Sequence, residues 1–87
     1  MKILHILRQK DDAYAWEAAE LQGQGPETEV IVLLLHDAVF SSPNHPSLKI
    51  FACQDDLRAR GLGDRFPALS YSEIVQLIFD CDTVVNW

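Results

Sequence analysis

The chain has 87 residues, 48% of them apolar and 23% charged, with four glycines and four prolines. That is the profile of one compact domain over residues 1–87, and it excludes a disordered or low-complexity segment. Seven Lys and Arg against thirteen Asp and Glu leave a net charge of −6, so no direct nucleic-acid contact is expected, because neutralising phosphates needs clustered positive charge.

A chain of this size buries roughly 60–65% of its unfolded surface, so its own core is modest and oligomer contacts gain weight. The longest apolar run, Val30–Leu35, is far short of the roughly 20 residues that cross a bilayer. The opening Met1–Leu7 contains His5 and has neither a basic start nor a cleavage site, so no signal peptide is expected and the chain reads as cytoplasmic.

Lys2–Leu7 reads as a first strand. Asp11 or Asp12 caps a helix to about Gln22, built on Ala13, Ala15, Ala18, Ala19 and Leu21 and ended by Gly23 and Gly25-Pro26. Val30–Leu35 is a continuous Val/Ile/Leu run, as a parallel strand covered on both faces requires. Leu48–Cys53 is a third strand, followed by a short helix over Asp55–Arg60 stopped by Gly61. The connection between the second and third strands is short and leaves one face of the sheet thinly covered. Phe66–Leu69 is a weak fourth strand, where Pro67 favours an edge or a strand end. Ser70-Tyr71-Ser72-Glu73 forms a capping box ahead of Ile74–Phe79, and Thr83–Trp87 closes the chain as a fifth strand. Strand–helix alternation of this kind implies right-handed crossovers and a largely parallel α/β sheet.

The last helix carries Tyr71, Ile74, Val75 and Ile78 on one stripe, enough to dock it on the sheet. Leu77 and Phe79 fall outside that stripe. They either bury against a second chain or cover the domain's own edge.

Cys53 is the first candidate for chemistry. It stands at the carboxyl end of a strand where the next helix begins, the end at which open α/β sheets bind ligands, and a helix amino terminus favours the nucleophilic thiolate. Against this, free cysteine is commonly a small buried hydrophobe, and Asp55 and Asp56 in the same helical turn oppose a second negative charge. Cys81, between Asp80 and Asp82 at a helix end, reads as structural. The two cysteines are 28 positions apart (81 − 53) with no Cys-x-x-Cys, so neither zinc nor a dithiol motif is indicated.

His36-Asp37 follows the second strand directly. His36 is either a proton shuttle or anion partner beside Cys53, or part of a turn capped by Asp37. His5 reads as a satisfied core or edge histidine and His45 as a loop residue; the three histidines lack metal-ligand spacing, and no metal or cofactor is expected. Trp16 and Tyr14, on an alanine-rich helix, read as core or interface packing. Gly61-Leu62-Gly63 is too short and wrongly placed for a phosphate loop, and no Walker, dinucleotide-binding or Gly-x-Ser-x-Gly pattern occurs.

These segments resemble the DsrE/DsrF/DsrH superfamily of sulfur-relay proteins, most closely its DsrH/TusB branch, over nearly the whole chain. Leu4-His5-Ile6-Leu7-Arg8 is similar to that branch's start. Leu33-Leu34-Leu35-His36-Asp37-Ala38-Val39 resembles its leucine run followed by Gln-Asp-Gly-Val, with His36 and Ala38 as departures. Ile50-Phe51-Ala52-Cys53-Gln54-Asp55-Asp56-Leu57-Arg58-Ala59-Arg60-Gly61-Leu62 is similar to its aromatic-Ala-x-x-x-Asp-Leu-x-x-Arg-Gly-Leu motif, and Ser70-Tyr71, Val75 and Val85-Asn86-Trp87 to its ending.

The resemblance implies a flavodoxin-like, three-layer α/β/α fold with a mostly parallel five-stranded sheet. It implies persulfide sulfur transfer toward tRNA wobble-uridine thiolation or in dissimilatory sulfur metabolism, fed by an upstream persulfide donor. It further implies assembly with itself or with DsrE/DsrF-like (TusD/TusC-like) partners. DsrH/TusB proteins commonly carry an aliphatic residue at the position of Cys53. The sulfur-carrying DsrE/TusD branch has its acceptor cysteine eight residues before the Arg-Gly glycine, which is the spacing of Cys53 to Gly61. Two readings stay open: a carrier that holds sulfane sulfur on Cys53, and a non-catalytic subunit that completes an assembly.

Overall fold

A computed structural model describes residues 1–43, 45 and 47–87. Five strands form one sheet: β1 (Lys2–Leu7), β2 (Glu29–Leu34), β3 (Lys49–Cys53), β4 (Ala68–Leu69) and β5 (Thr83–Asn86). The order is β4-β3-β2-β1-β5 and every pairing is parallel. Around it lie α1 (Ala13–Gly23), a five-residue 3-10 turn at His36–Phe40, α2 (Gln54–Ala59) and α3 (Tyr71–Asp80). The expected class therefore holds, and the sheet is parallel throughout.

The order explains the layers. From β1 to β4 each strand steps to its neighbour in the same direction, so right-handed crossovers keep α1, the 3-10 turn and α2 on one face. The step from β4 back to β5 crosses the whole sheet, so α3 lies on the other. Side chains alternate accordingly. Ile3, Leu7, Val30, Val32, Leu34 and Ala52 pack with Ala15, Trp16, Ala19, Val39 and Leu57. Leu4, Ile6, Ile31 and Leu33 pack with Ile74, and Phe51, Cys53, Leu69 and Leu77 join them. The thin face is thus the one opposite the short β2–β3 connection: three elements share the first face and α3 covers the second alone. Among the described residues no helix is long and apolar enough to cross a membrane.

Local signals behave as chemistry dictates. Asp12, rather than Asp11, caps α1 by accepting the Ala15 N–H at 3.2 Å. Asp11 takes a left-handed φ of 52° and ties the loop to the 3-10 exit, its N–H donating to Ser41 Oγ and its carboxylate accepting from the Ser42 N–H. Gly61 at φ 66° ends α2 in a Schellman arrangement: its own N–H donates to Arg58 O and the Leu62 N–H to Leu57 O. The fourth strand shrinks to two residues, because Pro67 has no N–H to offer the ladder and contributes only its carbonyl, which accepts from Ala52.

The docking stripe of α3 is the clearest correction. Ile74, Leu77 and Cys81 face the sheet, whereas Tyr71 and Phe79 are 78% and 80% exposed and Ile78 is 38% exposed. Leu77 thus covers the domain's own sheet. The helix is rotated from the expected position because the larger target, Leu4, Ile31 and Leu33, lies under the 74/77/81 side. Of the two aromatic residues of α1, Trp16 is buried in the core and Tyr14 is exposed, so core packing holds for Trp16 alone.

Candidate functional site

Cys53 is the last residue of β3 and the N-cap of α2, half-buried, with no hydrogen bond from its sulfur to the helix. Strand alternation turns its side chain to the α3 face, where it joins Leu35, Phe51 and Leu69. Its register partner is Leu69, immediately before the Ser70 cap of α3. The chain leaves β3 toward one face and β4 toward the other. Cys53 therefore stands at the carboxyl-end switch point of the sheet, where parallel α/β folds open a crevice. Nothing local in the sequence marks Leu69 and Ser70 as its neighbours; strand order alone brings them there.

Of the two carboxylates beside it, Asp56 is engaged elsewhere. Asp56 Oδ2 accepts the His36 N–H at 2.9 Å and its Oδ1 accepts from Arg60 Nη1 at 3.2 Å, while Arg60 also donates to Asp37 Oδ1 at 3.3 Å. Asp37 thus pairs with an arginine 23 positions away instead of capping the turn that follows it. Asp55 faces solvent. His36 lies at the end of the neighbouring strand with a left-handed φ of 51°. Among the described residues its ring makes no hydrogen bond to Cys53, and its link to the site runs through its backbone N–H and Asp56. The Arg60–Asp37–Asp56 cluster went unread in the sequence, although Asp56 and Arg60 stand at the helical i, i+4 spacing.

Cys81 lies at the far end of α3, beside Lys2 at the entry of β1. Burial pushes its thiol above the ordinary range, the Asp80, Asp82 and Glu29 carboxylates add to this, and Lys2 partly opposes it. Burial, rather than the flanking aspartates, is the leading cause. The helix separates the two cysteines: its ten residues span roughly 15 Å.

The histidines fall into distinct places. His5 is fully buried in β1; the Trp87 indole N–H donates to its Nδ1 at 2.9 Å and its Nε2 meets Gln22 Oε1 at 2.5 Å. His45 stacks on Trp16, with centroids 5.3 Å apart, and pairs with Glu20 at 2.7 Å, so it anchors its loop to α1. Among the described residues no group of three His, Cys, Asp or Glu side chains converges as metal ligands. A groove of about 280 Å³ runs along the α3 face between Phe51, Leu69 and Leu77 on its floor and Glu73, Gln76 and Asp80 on its rim.

No family model matches the chain, and no curated protein matches its sequence. Among solved structures, the crystal structure of the ychN protein from E. coli is similar over 100% of this chain and 99% of that one. The TM-score is 0.82 and the identity 16%. At that identity the likeness bears on architecture: the chain has the flavodoxin-like α/β fold that the DsrE/DsrF/DsrH resemblance implies.

Proposed function

We propose that the chain is a sulfur-relay protein of the DsrH/TusB type that accepts sulfane sulfur on Cys53. The observation that carries the reading is the position of Cys53, half-exposed at the carboxyl-end switch point with its sulfur free of intrahelical bonds. The Cys53 thiolate attacks the terminal sulfur of a donor persulfide. An S–S bond forms on Cys53, the donor's own S–S bond breaks, and the donor leaves as a thiolate. A second thiolate then takes the terminal sulfur and releases Cys53 as thiolate. Since Cys81 lies at the other end of α3, that second thiol belongs to another molecule. The sulfur passes toward tRNA wobble-uridine 2-thiolation or a dissimilatory sulfur pathway. With a charge of −6 on this chain, the tRNA contact falls to a partner.

Mass spectrometry after incubation with a persulfide donor tests this. The expected result is one added sulfur, lost in Cys53→Ser and kept in Cys81→Ser. No mass gain on either cysteine under donor excess overturns the carrier reading.

A second reading is favoured by the exposed apolar side of α3: a non-catalytic subunit that assembles with DsrE/DsrF-like partners or with itself. It expects Cys53→Ser to leave the activity of a reconstituted complex intact.

A further inference from the structure

Ala13, Trp16, Glu17, Glu20 and Leu21 recur at the i, i+3, i+4, i+7, i+8 spacing of one side of α1. Beside them runs the chain that leaves the 3-10 turn. The two border a groove of about 540 Å³, completed by Asp11, Ser42, Pro43 and His45. That volume is in the range of small-molecule sites. The groove is on the α1 side of the sheet, whereas Cys53 packs on the α3 side.

Its lining is of two kinds. Trp16, Leu21 and Pro43 supply apolar surface, and Leu21 stays 63% exposed. Asp11, Glu17 and Glu20 supply three carboxylates, and no lysine or arginine lines the groove. Asp11 accepts the Ser42 N–H, and Glu20 pairs with His45. Glu17 is exposed and, among the described residues, pairs with no cation.

A further feature does not depend on charge. Trp16 is 6% exposed and its ring stacks on His45, yet its indole Nε1 has no hydrogen-bond partner among the described residues. A buried indole N–H usually finds an acceptor, and leaving it unpaired costs free energy. A residue that lines the groove thus holds a spare donor, alongside a carboxylate with spare charge.

We infer that this groove binds a small amphipathic organic cation that combines an ammonium group, an apolar body and a carbonyl acceptor. The ammonium pairs with Glu17, and Asp11 and Glu20 add to the attraction. The apolar body covers Leu21 and Pro43. The carbonyl accepts the Trp16 indole N–H; since Nε1 is closed to solvent, the side chains around it shift to admit the ligand. An anion is repelled by the three carboxylates, and a neutral hydrocarbon satisfies neither the charge nor the donor. The site uses no part of Cys53 and stands or falls independently of sulfur transfer.

L-phenylalaninamide carries all three features and serves as the probe, at about pH 6, where its amine is protonated. It is titrated into the full nitrogen-15-labelled chain and followed by proton–nitrogen correlation spectra, with the two indole signals assigned through Trp87→Phe. The expected result is saturable shifts along α1 with a Kd in the millimolar range, and a downfield move of the Trp16 indole proton as it gains an acceptor. N-acetylphenylalaninamide, without the charge, is expected to bind about tenfold more weakly. Phenethylammonium, without the carbonyl, shifts α1 but leaves the indole proton in place. Glu17→Gln weakens binding of the probe about threefold, while Glu27→Gln, outside the groove, leaves it unchanged. Absence of saturable shifts on α1 overturns the inference, and so does equal binding of the acetylated compound or indifference to Glu17→Gln. An indole proton that stays in place with phenylalaninamide, or moves equally with phenethylammonium, overturns the assignment of the carbonyl to Trp16.

Discussion

Asp56 Oδ2 accepts the backbone N–H of His36 at 2.9 Å, binding the first turn of α2 to the exit of β2. The bond holds a non-glycine residue at a φ of 51°, a conformation that costs about 1–2 kcal/mol and persists only where its surroundings fix it. The same carboxylate takes a hydrogen bond from Arg60, which is itself held by Asp37. One side chain thus joins the exit of β2 to α2 and, through Arg60, to Asp37 of the 3-10 turn. Replacing Asp56 by Ala removes the charged acceptor from both donors, and about 1.5–3 kcal/mol of stability goes with it. Asp56→Asn keeps an acceptor for the His36 N–H and recovers part of that loss. Urea unfolding of the two variants gives the ordering, and equal losses would refute the distinct role of the His36 contact.

His5 and Trp87 make a corresponding seal on the same face, toward the β1–β5 edge of the sheet. The indole N–H donates to Nδ1 of a histidine with no exposed surface, so the ring's hydrogen resides on Nε2, directed at Gln22 Oε1. Trp87→Phe keeps an aromatic ring over His5 but leaves a buried acceptor unpaired, a loss of about 1–3 kcal/mol. Nitrogen-15 spectra of the histidine ring check the premise: the Nε2–H tautomer is expected in the native chain, and a mixed tautomer population would contradict it.

The capping box of α3 gives a pH dependence of known sign. The Ser70 N–H donates to Glu73 Oε1 at 2.9 Å and the Glu73 N–H to Ser70 Oγ at 3.3 Å. The backbone bond, then the Ser70 hydroxyl, hold the Glu73 carboxyl below its ordinary value. A depressed acid stabilises the fold above its unfolded value and loses that contribution as pH falls through the folded one. Stability is therefore expected to decline on acidification below the ordinary glutamate range, with a smaller decline in Glu73→Gln. Ser70→Ala is expected to cost about 1 kcal/mol at neutral pH. An acid titration of wild type and Glu73→Gln followed by circular dichroism decides this; superimposable curves would rule out the linkage.

Much of the architecture is legible in the residues, because short-range chemistry is written locally. The Val30–Leu35 run, the Ser70–Glu73 cap and the Gly61 stop each need only a few neighbours to be read, and each stands within a residue or so of its expected place. What depends on strand order is not local. The pairing of Cys53 with Leu69 follows from β4 lying beside β3. The thin face follows from a crossover that spans the sheet. The rotation of α3 is missed for a related reason: Tyr71, Ile74, Val75 and Ile78 form a valid apolar stripe, but so do Ile74, Leu77 and Cys81. A helix apolar on two sides does not declare which one meets the sheet. His45 is a milder case, since its Trp16 and Glu20 partners are reached only after the chain has folded back over α1.

The two cysteines are expected to differ in reactivity and never to join. Cys53 caps a helix with its sulfur unbonded, while Cys81 is raised by burial and by three carboxylates against one lysine. Since the thiolate is the reactive form, Cys81 should alkylate slowly at neutral pH and faster as pH climbs past the ordinary thiol value of about 8.5. The sign of its linkage is opposite to that of Glu73. A folded value above the unfolded one stabilises fully below the unfolded value, and that contribution is lost as pH rises through the folded one. Cys81→Ser should therefore flatten the alkaline side of the stability profile. Distance prevents a disulfide within one chain, since bridged Cα atoms lie within about 7 Å and the intervening helix is roughly twice that length. Iodoacetamide labelling with peptide mapping measures both expectations: Cys53 modified first, and no 53–81 linked peptide after oxidation. An intrachain 53–81 bridge in the native chain would mean that α3 does not hold the two ends of the sheet apart.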